Sequence, residues 1–350
     1  MAVRAHELRY LPLDGLRGIA VLLVFCVHAA GNAAKVAFGI NFETASFLAL
    51  DGAGERALFW LFRSHHGVFL FFVLSGFLIG RMWWPRIAMP YAQFVWRRTL
   101  RIYPAFLVAF VASLLFAWHS ATWQPPDVAR VAANLVFLNG APSSPVAPFN
   151  IVTWSLFYEM TFYLVFPLLL FFARSAVTVA IAGIVTPVIA VLAGADALVL
   201  CWSLLFCGVL LSSSERGLRA WIARLPAPVV LALYFAITTA AMLDALPVTF
   251  AILAFGAAAL AVIAKSLEPG NIVARVLALS PLRALGRVSY SFYLVHWMIV
   301  VLVARAVDGA LTPLAATLVI FAAGFTLSAI AATISWWIAE RPYFAWVAKA

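Results

Sequence analysis

Apolar runs of helical length, separated by short polar breaks, dominate the chain. They fall near 13–31, 66–84, 102–118, 153–173, 176–194, 197–212, 228–244, 247–264, 288–305 and 313–338. A helix that crosses a bilayer needs about 20 mostly apolar residues, and these runs meet or approach that length. The last run exceeds it, which predicts tilt or extension into water. Two breaks are long, at 32–65 and 119–152. The second is rich in Pro, Ser and Asn and holds an apolar piece at 131–138, too short to span and suited to a re-entrant or interfacial segment. The pattern predicts an all-α, polytopic transmembrane bundle of about ten spans, a single integral-membrane domain over 1–350 with no fused soluble domain. No internal repeat is evident, which counts against transporters built from duplicated halves.

The first run organises the chain. It opens with Leu13-Asp14-Gly15-Leu16-Arg17-Gly18 and continues through apolar residues to His28. Arg17 and His28 are eleven residues apart, which at about 100° per residue is three turns plus about 20°. Both side chains therefore share a helix face, about 16 Å apart along the axis. Asp14 sits one turn before Arg17 on nearly the same face. An ionisable residue inside a span faces a cavity or a partner rather than lipid.

Composition supports the membrane reading: 66% of the 350 residues are apolar and 10% are charged. Of the 23 Lys and Arg, only Lys35, Arg56, Arg63, Arg130 and Arg305 fall on segments that would be outside if the N-terminus is inside. Arg4, Arg9, Arg81, Arg86, Arg216, Lys265, Lys349 and most others then fall on the cytoplasmic side, which predicts both termini cytoplasmic and an even number of spans. The net charge of +10 is thereby read as basic cytoplasmic loops, not as nucleic-acid binding. Cys26, Cys201 and Cys207 lie in apolar runs and read as packing residues, not as a disulfide framework. No cleavable signal peptide is expected, because Asp14 and Arg17 interrupt the start of a segment long enough to span.

Five further stretches carry candidate chemistry. Arg97, Arg98 and Arg101 crowd the cytoplasmic entrance of the third run. They suit lipid anchoring, or a phosphate site in which Arg98 and Arg101, one turn apart, clamp a diphosphate with Arg17 at similar depth. Ser75-Gly76 sits mid-span among large side chains; it allows close helix approach, or Ser75 hydrogen-bonds a ligand. His65-His66 lie at the outer end of that run and read as solvated interfacial residues. Adjacent histidines on a helix point apart, which argues against a metal, and none is expected. Glu159, two turns into its span, is a structural partner for an arginine or an acid facing a cavity. Around it, Trp154, Tyr158 and Tyr163 suit an interfacial aromatic belt or stacking on a sugar ring. His296 is a second intramembrane histidine, either helix-bonding or cavity-facing. Glu340-Arg341-Pro342 reads as a cap or local ion pair closing the last helix.

Taken in order, these stretches resemble the membrane-bound acyltransferase-3 family of bacterial surface-glycan O-acyltransferases. The motifs are Leu13-Asp14-Gly15-Leu16-Arg17-Gly18 with Arg17-x10-His28, Phe71-Phe72-Val73-Leu74-Ser75-Gly76-Phe77, Arg98-x-x-Arg101-Ile102-Tyr103-Pro104, Trp154-Ser155-x-x-x-Glu159-x-x-Phe162-Tyr163, Ser289-Tyr290-Ser291-x-Tyr293-Leu294-x-His296 and Glu340-x-Pro342. Each is weak alone; six in order across nearly the whole chain are specific. The resemblance implies ten or so spans in a bacterial inner membrane. It also implies transfer of an acyl group, most simply acetyl, from cytoplasmic acyl-CoA to a hydroxyl of an extracytoplasmic or lipid-linked saccharide. The family's essential pair maps onto Arg17 and His28. Met160-Thr161 after Glu159 depart from the more polar pair of many relatives, and the esterase-like domain fused to some members is not found.

The expected function is therefore a membrane acyltransferase. Acyl-CoA, a donor substrate rather than a resident cofactor, rests its phosphates on Arg97, Arg98, Arg101 and Arg17. His28 is base or transient acyl carrier, and Asp14 or Glu159 orients or charge-balances the site. Ser75, Trp154, Tyr158, Tyr163 and His296 line the substrates' path, and the partners are the acyl-CoA, the saccharide and membrane lipid. The alternative is a transporter or lipid-carrier flippase using Arg17, His28 and Glu159 as an ion relay. Repeats or broken helices in matching positions would favour it, and neither is seen.

Overall fold

A computed structural model describes residues 2–63, 66–83, 89–120, 122, 127–214, 217–243, 245–268 and 270–347; of 2–10, Met242 and Val347 it describes the backbone alone. His65, Arg86, Arg216 and Lys349 lie outside the described residues, as do the side chains of Arg4 and Arg9. Among the described residues the secondary structure is helical. Ten helices are labelled here in chain order: α1 Ala2–Phe38, α2 His66–Trp83, α3 Tyr91–His119, α4 Trp154–Ala173, α5 Ala176–Leu192, α6 Leu200–Ser213, α7 Ala227–Met242, α8 Val248–Ser266, α9 Ser289–Val307 and α10 Pro313–Ser335. Seven stretches, carrying α1 to α4 and α8 to α10, are long and apolar enough to cross a membrane, and α5, α6 and α7 are shorter apolar helices. These are the places where the hydropathy pattern predicts spans. The helices of the first and third spans run beyond their apolar cores, so Arg97, Arg98 and Arg101 are inside α3 rather than ahead of it.

The chain forms two compact units. The first comprises Met1–Leu22, His65–Tyr91 and Glu159–Arg287. Its core is α6 against α2, α5 and α8. α6 is apolar on every side, the pattern of a helix enclosed by others. Backbones approach closely where side chains are absent. Gly76 of α2 lies against the carbonyl of Leu205, Gly208 of α6 against the backbone of Val73 and Phe77, and Gly183 of α5 against the Phe206 ring. The N-terminal half of α1 is held the same way, Gly15 on Leu277, Gly18 on Leu282 and Gly286 on Asp14, each a contact with main chain. His66 is buried and stacks on Phe255 at 4.9 Å between centroids, with Tyr234 edge-on. This corrects the expectation of a solvated interfacial residue. The imidazole is flat enough to pack as an aromatic among α2, α7 and α8.

The second unit comprises Leu23–Ser64, Ala92–Tyr158 and Val288–Ala350. At its centre Phe25 of α1 meets Phe292 of α9 and Phe321 and Phe325 of α10, all edge-on or nearly so. The long connection before α4 is built, not loose. Its apolar piece forms the helix Val128–Leu135, capped by Asp127. Arg130 donates to the carbonyls of Thr122, Ala147 and Pro148 while lying 4.2 Å from the Phe149 ring centroid. Asn134 donates to Arg130 and Ala147 and accepts from the Phe149 N–H. Asn150 and Val152 then tie the connection to α9, through the Leu294 carbonyl and the Tyr293 hydroxyl.

The end of the chain departs from expectation. Glu340-Arg341-Pro342 does not close the last helix. A π turn at Trp336–Glu340 passes into a further helix, Arg341–Val347. The wider turn aims Glu340 inward, where it is buried and accepts from the N–H and hydroxyl of Ser291, at 3.2 and 2.6 Å. It thus caps α9 rather than its own helix. The first turn of α9 has N–H groups without helical partners and the positive end of the helix dipole, both of which a carboxylate satisfies. The Arg341 guanidinium lies 3.8 Å over the Trp337 ring.

The glycine contacts give a direct test. A Gly76→Val substitution places a side chain on the Leu205 carbonyl and should lower stability by about 1–3 kcal/mol, the range for overpacking. Gly54→Ala, where the nearest atom to a new Cβ is 3.6 Å away, should be neutral. Thermal melts of detergent-purified protein compare them; equal melts would refute the close helix contact.

Candidate active site

Helix α1 presents Asp14, Arg17 and His28 along one face, and it is continuous over the whole interval. Arg17 pairs with Asp14 at 3.7 Å, one turn away, and both side chains are partly exposed. A pair of this kind in reach of solvent is worth little in stability. Three turns on, the half-buried His28 imidazole lies 5.2 Å, centroid to centroid, from that of His296 on α9. Sequence spacing relates neither ring to the other, yet the fold makes them neighbours in the second unit.

His296 itself is wholly buried. Its Nδ1 stands 3.1 Å from the Phe292 carbonyl and 2.8 Å from that of Tyr293, one turn back on α9. The Phe292 ring stacks beside it. Tyr293 binds Ser155 through its hydroxyl at 2.8 Å, which joins the first turn of α4 to α9. Trp154 and Tyr158 stand edge-on at 5.9 Å, with the Trp154 backbone packed on Gly140. Tyr158 is fully buried, so its ring is not part of a solvent-facing belt.

In the first unit Glu159 forms a second cluster. Its Oε1 accepts from the Ser75 hydroxyl at 2.8 Å and from the Tyr163 hydroxyl one turn along α4. Tyr163 and Ser75 are themselves within hydrogen-bonding distance at 3.1 Å. A carboxylate in an apolar bundle is tolerable when its oxygens find donors, and two hydroxyls serve Oε1 of the half-buried Glu159. The small-residue pair on α2 thus divides the two roles its sequence allows: Gly76 permits helix contact and Ser75 supplies a donor. Trp202 donates to Thr161 at 2.9 Å, which anchors the stretch after Glu159 to α6.

The α3 arginines are flanked by aromatic rings. Arg98 lies 5.4 Å from the Phe94 centroid, Arg101 5.1 Å from Phe344 and Arg97 5.9 Å from Trp346. Two of these rings come from the helix after the π turn, which the charge pattern alone did not connect to α3. A guanidinium lying against a ring keeps its edge donors available to an anion, so stacking and phosphate binding are compatible. Among the described residues no group of three His, Cys, Asp or Glu is placed to hold a metal ion.

Comparison with known proteins agrees with the arrangement of motifs. The family model described as an acyltransferase domain, acyltransferase-3, matches residues 11–336. Among curated proteins, the acyltransferase MdmB of Streptomyces mycarofaciens is 31% identical over 161 residues, which covers 45% of this chain and 38% of MdmB. BcsY of Komagataeibacter xylinus, named as a membrane-bound transacylase, is 29% identical over 162 residues, 43% of this chain and 34% of BcsY. An uncharacterized protein of Haemophilus influenzae is 34% identical over 122 residues, 30% of this chain and 48% of that protein. The matched part is thus less than half the length of each of these relatives. No solved structure matches. The family match runs from within α1 to the end of α10, and the chain belongs to the acyltransferase-3 family.

Proposed function

We propose that the protein is a membrane acyltransferase that moves an acyl group, most simply acetyl, from cytoplasmic acyl-CoA to a hydroxyl of an extracytoplasmic or lipid-linked saccharide. The observation that carries the reading is Arg17 and His28 on one continuous helix, within a chain of this family. Arg98 and Arg101, with Arg97 and Arg17, hold the donor's phosphates, and the thin pantetheine arm follows the α1 face toward His28. Supporting this, the α3 arginines are half-buried and kept in place by rings.

His28 then acts as general base. Its imidazole takes the proton of the acceptor hydroxyl while the oxygen attacks the thioester carbonyl carbon. The tetrahedral adduct collapses, the carbon–sulfur bond breaks, and the imidazolium returns the proton to the departing CoA thiolate. The sum is an ester and free CoA. Glu159, held by Ser75 and Tyr163, offers a fixed negative charge or acceptor for sugar hydroxyls. Family membership weighs against the transport alternative, which needs Arg17, His28 and Glu159 as an ion relay.

The orientation belongs to the same proposal: both termini are cytoplasmic and the connection between α3 and α4 faces outward. A Ser143→Cys variant should react with an impermeant thiol reagent on intact cells; labelling only after lysis would contradict this orientation.

Arg98→Ala and Arg101→Ala should each raise the KM for acetyl-CoA, at about 1.5–3 kcal/mol per lost charge-assisted contact. Unchanged donor affinity with reduced expression would make these residues membrane anchors. His28→Gln keeps hydrogen bonding but removes basicity. Transfer should fall about 10²–10⁴-fold while acyl-CoA binding persists. Near-full transfer by that variant, in membranes normalised for folded protein, would make His28 a packing residue and move the chemistry to the surroundings of Glu159 and His296.

A further inference from the structure

The buried ring behind His28 is more constrained than a packing histidine. Carbonyl oxygens only accept, so the Nδ1 of His296, facing those of Phe292 and Tyr293, must carry the hydrogen. In the neutral ring the lone pair then lies on Nε2. Nε2 is buried, and it has no hydrogen-bond partner among the described residues. A buried acceptor left unmet is costly in an apolar bundle, and native structures leave few. The ring is wedged by Phe292, stacked at 5.8 Å, and by Tyr293 at 6.0 Å, so it does not turn to find another donor.

The neighbouring nitrogen-bearing group is His28, whose ring centroid is 5.2 Å away with the planes tilted by 50°. At that separation two imidazoles whose nitrogens face one another come within hydrogen-bonding reach, about 3 Å. His28 is half-buried where His296 is wholly so. Catalytic hydrogen bonds are often long in the unliganded enzyme and tighten when substrate binds.

We propose that His296 is the positioning residue for His28: its Nε2 lone pair accepts the His28 N–H and fixes the tautomer, so that the other His28 nitrogen carries the lone pair that meets the acceptor hydroxyl. This rests on the reading of His28 as the base. His296 does for His28 what a carboxylate does for histidine in a hydrolase triad, without placing a charge in the apolar interior. When His28 takes the hydroxyl proton, the imidazolium strengthens its bond to Nε2. When CoA thiolate leaves, the proton goes to sulfur and both rings return to neutral. His296 neither gains nor loses a proton over the cycle.

Two substitutions separate this role from packing, because each keeps one nitrogen's function. The amide nitrogen of Asn overlays Nδ1 of histidine, so His296→Asn retains the donor to the Phe292 and Tyr293 carbonyls and lacks the Nε2 acceptor. The amide oxygen of Gln reaches the Nε2 position, so His296→Gln retains the acceptor. CoA release from acetyl-CoA and label transfer to glycan are measured in membranes normalised for folded protein by gel filtration. His296→Asn should lower kcat about tenfold or more with KM for acetyl-CoA within about twofold, and His296→Gln should stay about tenfold above it. His296→Asn equal to or better than His296→Gln overturns the proposal and leaves a packing histidine.

A measurement without any His296 variant decides the case in which both fold poorly. In 15N-histidine-labelled protein, with His28 assigned by its loss in His28→Gln, the His28 ring should show one neutral tautomer when acyl-CoA is bound. A ring averaged between tautomers refutes the assignment. If His28→Gln itself retains transfer, the failure lies with the reading of His28 as the base and not with the pairing.

Discussion

A polar side chain inside an apolar helix bundle has no water to satisfy it, and this constraint shapes every cluster described above. Glu159 is acceptable in α4 because Ser75 and Tyr163 donate to it. Glu340 is acceptable because α9 presents an N-terminus and a serine to it. His296 gives its N–H to its own helix. These partners come from segments far apart in sequence, so meeting the hydrogen-bonding demand of a few buried groups also fixes how helices are placed within each unit. Where no side chain is needed, glycine lets main chain touch main chain, as at Gly76 and Gly208.

The same constraint makes the chemistry economical. A base at membrane depth is better neutral than charged at rest, and imidazole is the side chain that offers a neutral base near neutral pH. Arginines belong nearer the interface, where a phosphate compensates them and where Phe94, Phe344 and Trp346 hold their flat faces. The separation of about 16 Å between Arg17 and His28 is on the scale of a pantetheine arm, so in the proposed reaction one helix sets both the donor's anchor and its reacting end.

Much of this was legible in the sequence where it depends on one segment at a time. Helix periodicity aligned Arg17 with His28, and among the described residues hydropathy located the seven stretches long enough to cross a membrane and the three shorter apolar helices. Contacts between distant segments were not legible, because residue spacing says nothing about them. His28 beside His296, Gly286 on Asp14 and Glu340 on Ser291 each join residues separated by most of the chain or by a whole helical hairpin. Exposure was misjudged for a related reason. His66 and Tyr158 are polar-tipped residues near the ends of apolar runs, where an interfacial position is the ordinary expectation, yet neighbouring helices cover both.

In the proposed reaction the donor arrives from the cytoplasm and the acceptor does not. Inverted and right-side-out membrane vesicles prepared from cells with and without the protein, supplied with acetyl-labelled CoA, distinguish this directly. Protein-dependent label in the saccharide fraction of inverted vesicles, and its absence from sealed right-side-out vesicles, is the predicted result. Labelling of right-side-out vesicles, or no protein-dependent labelling from either face, would contradict it.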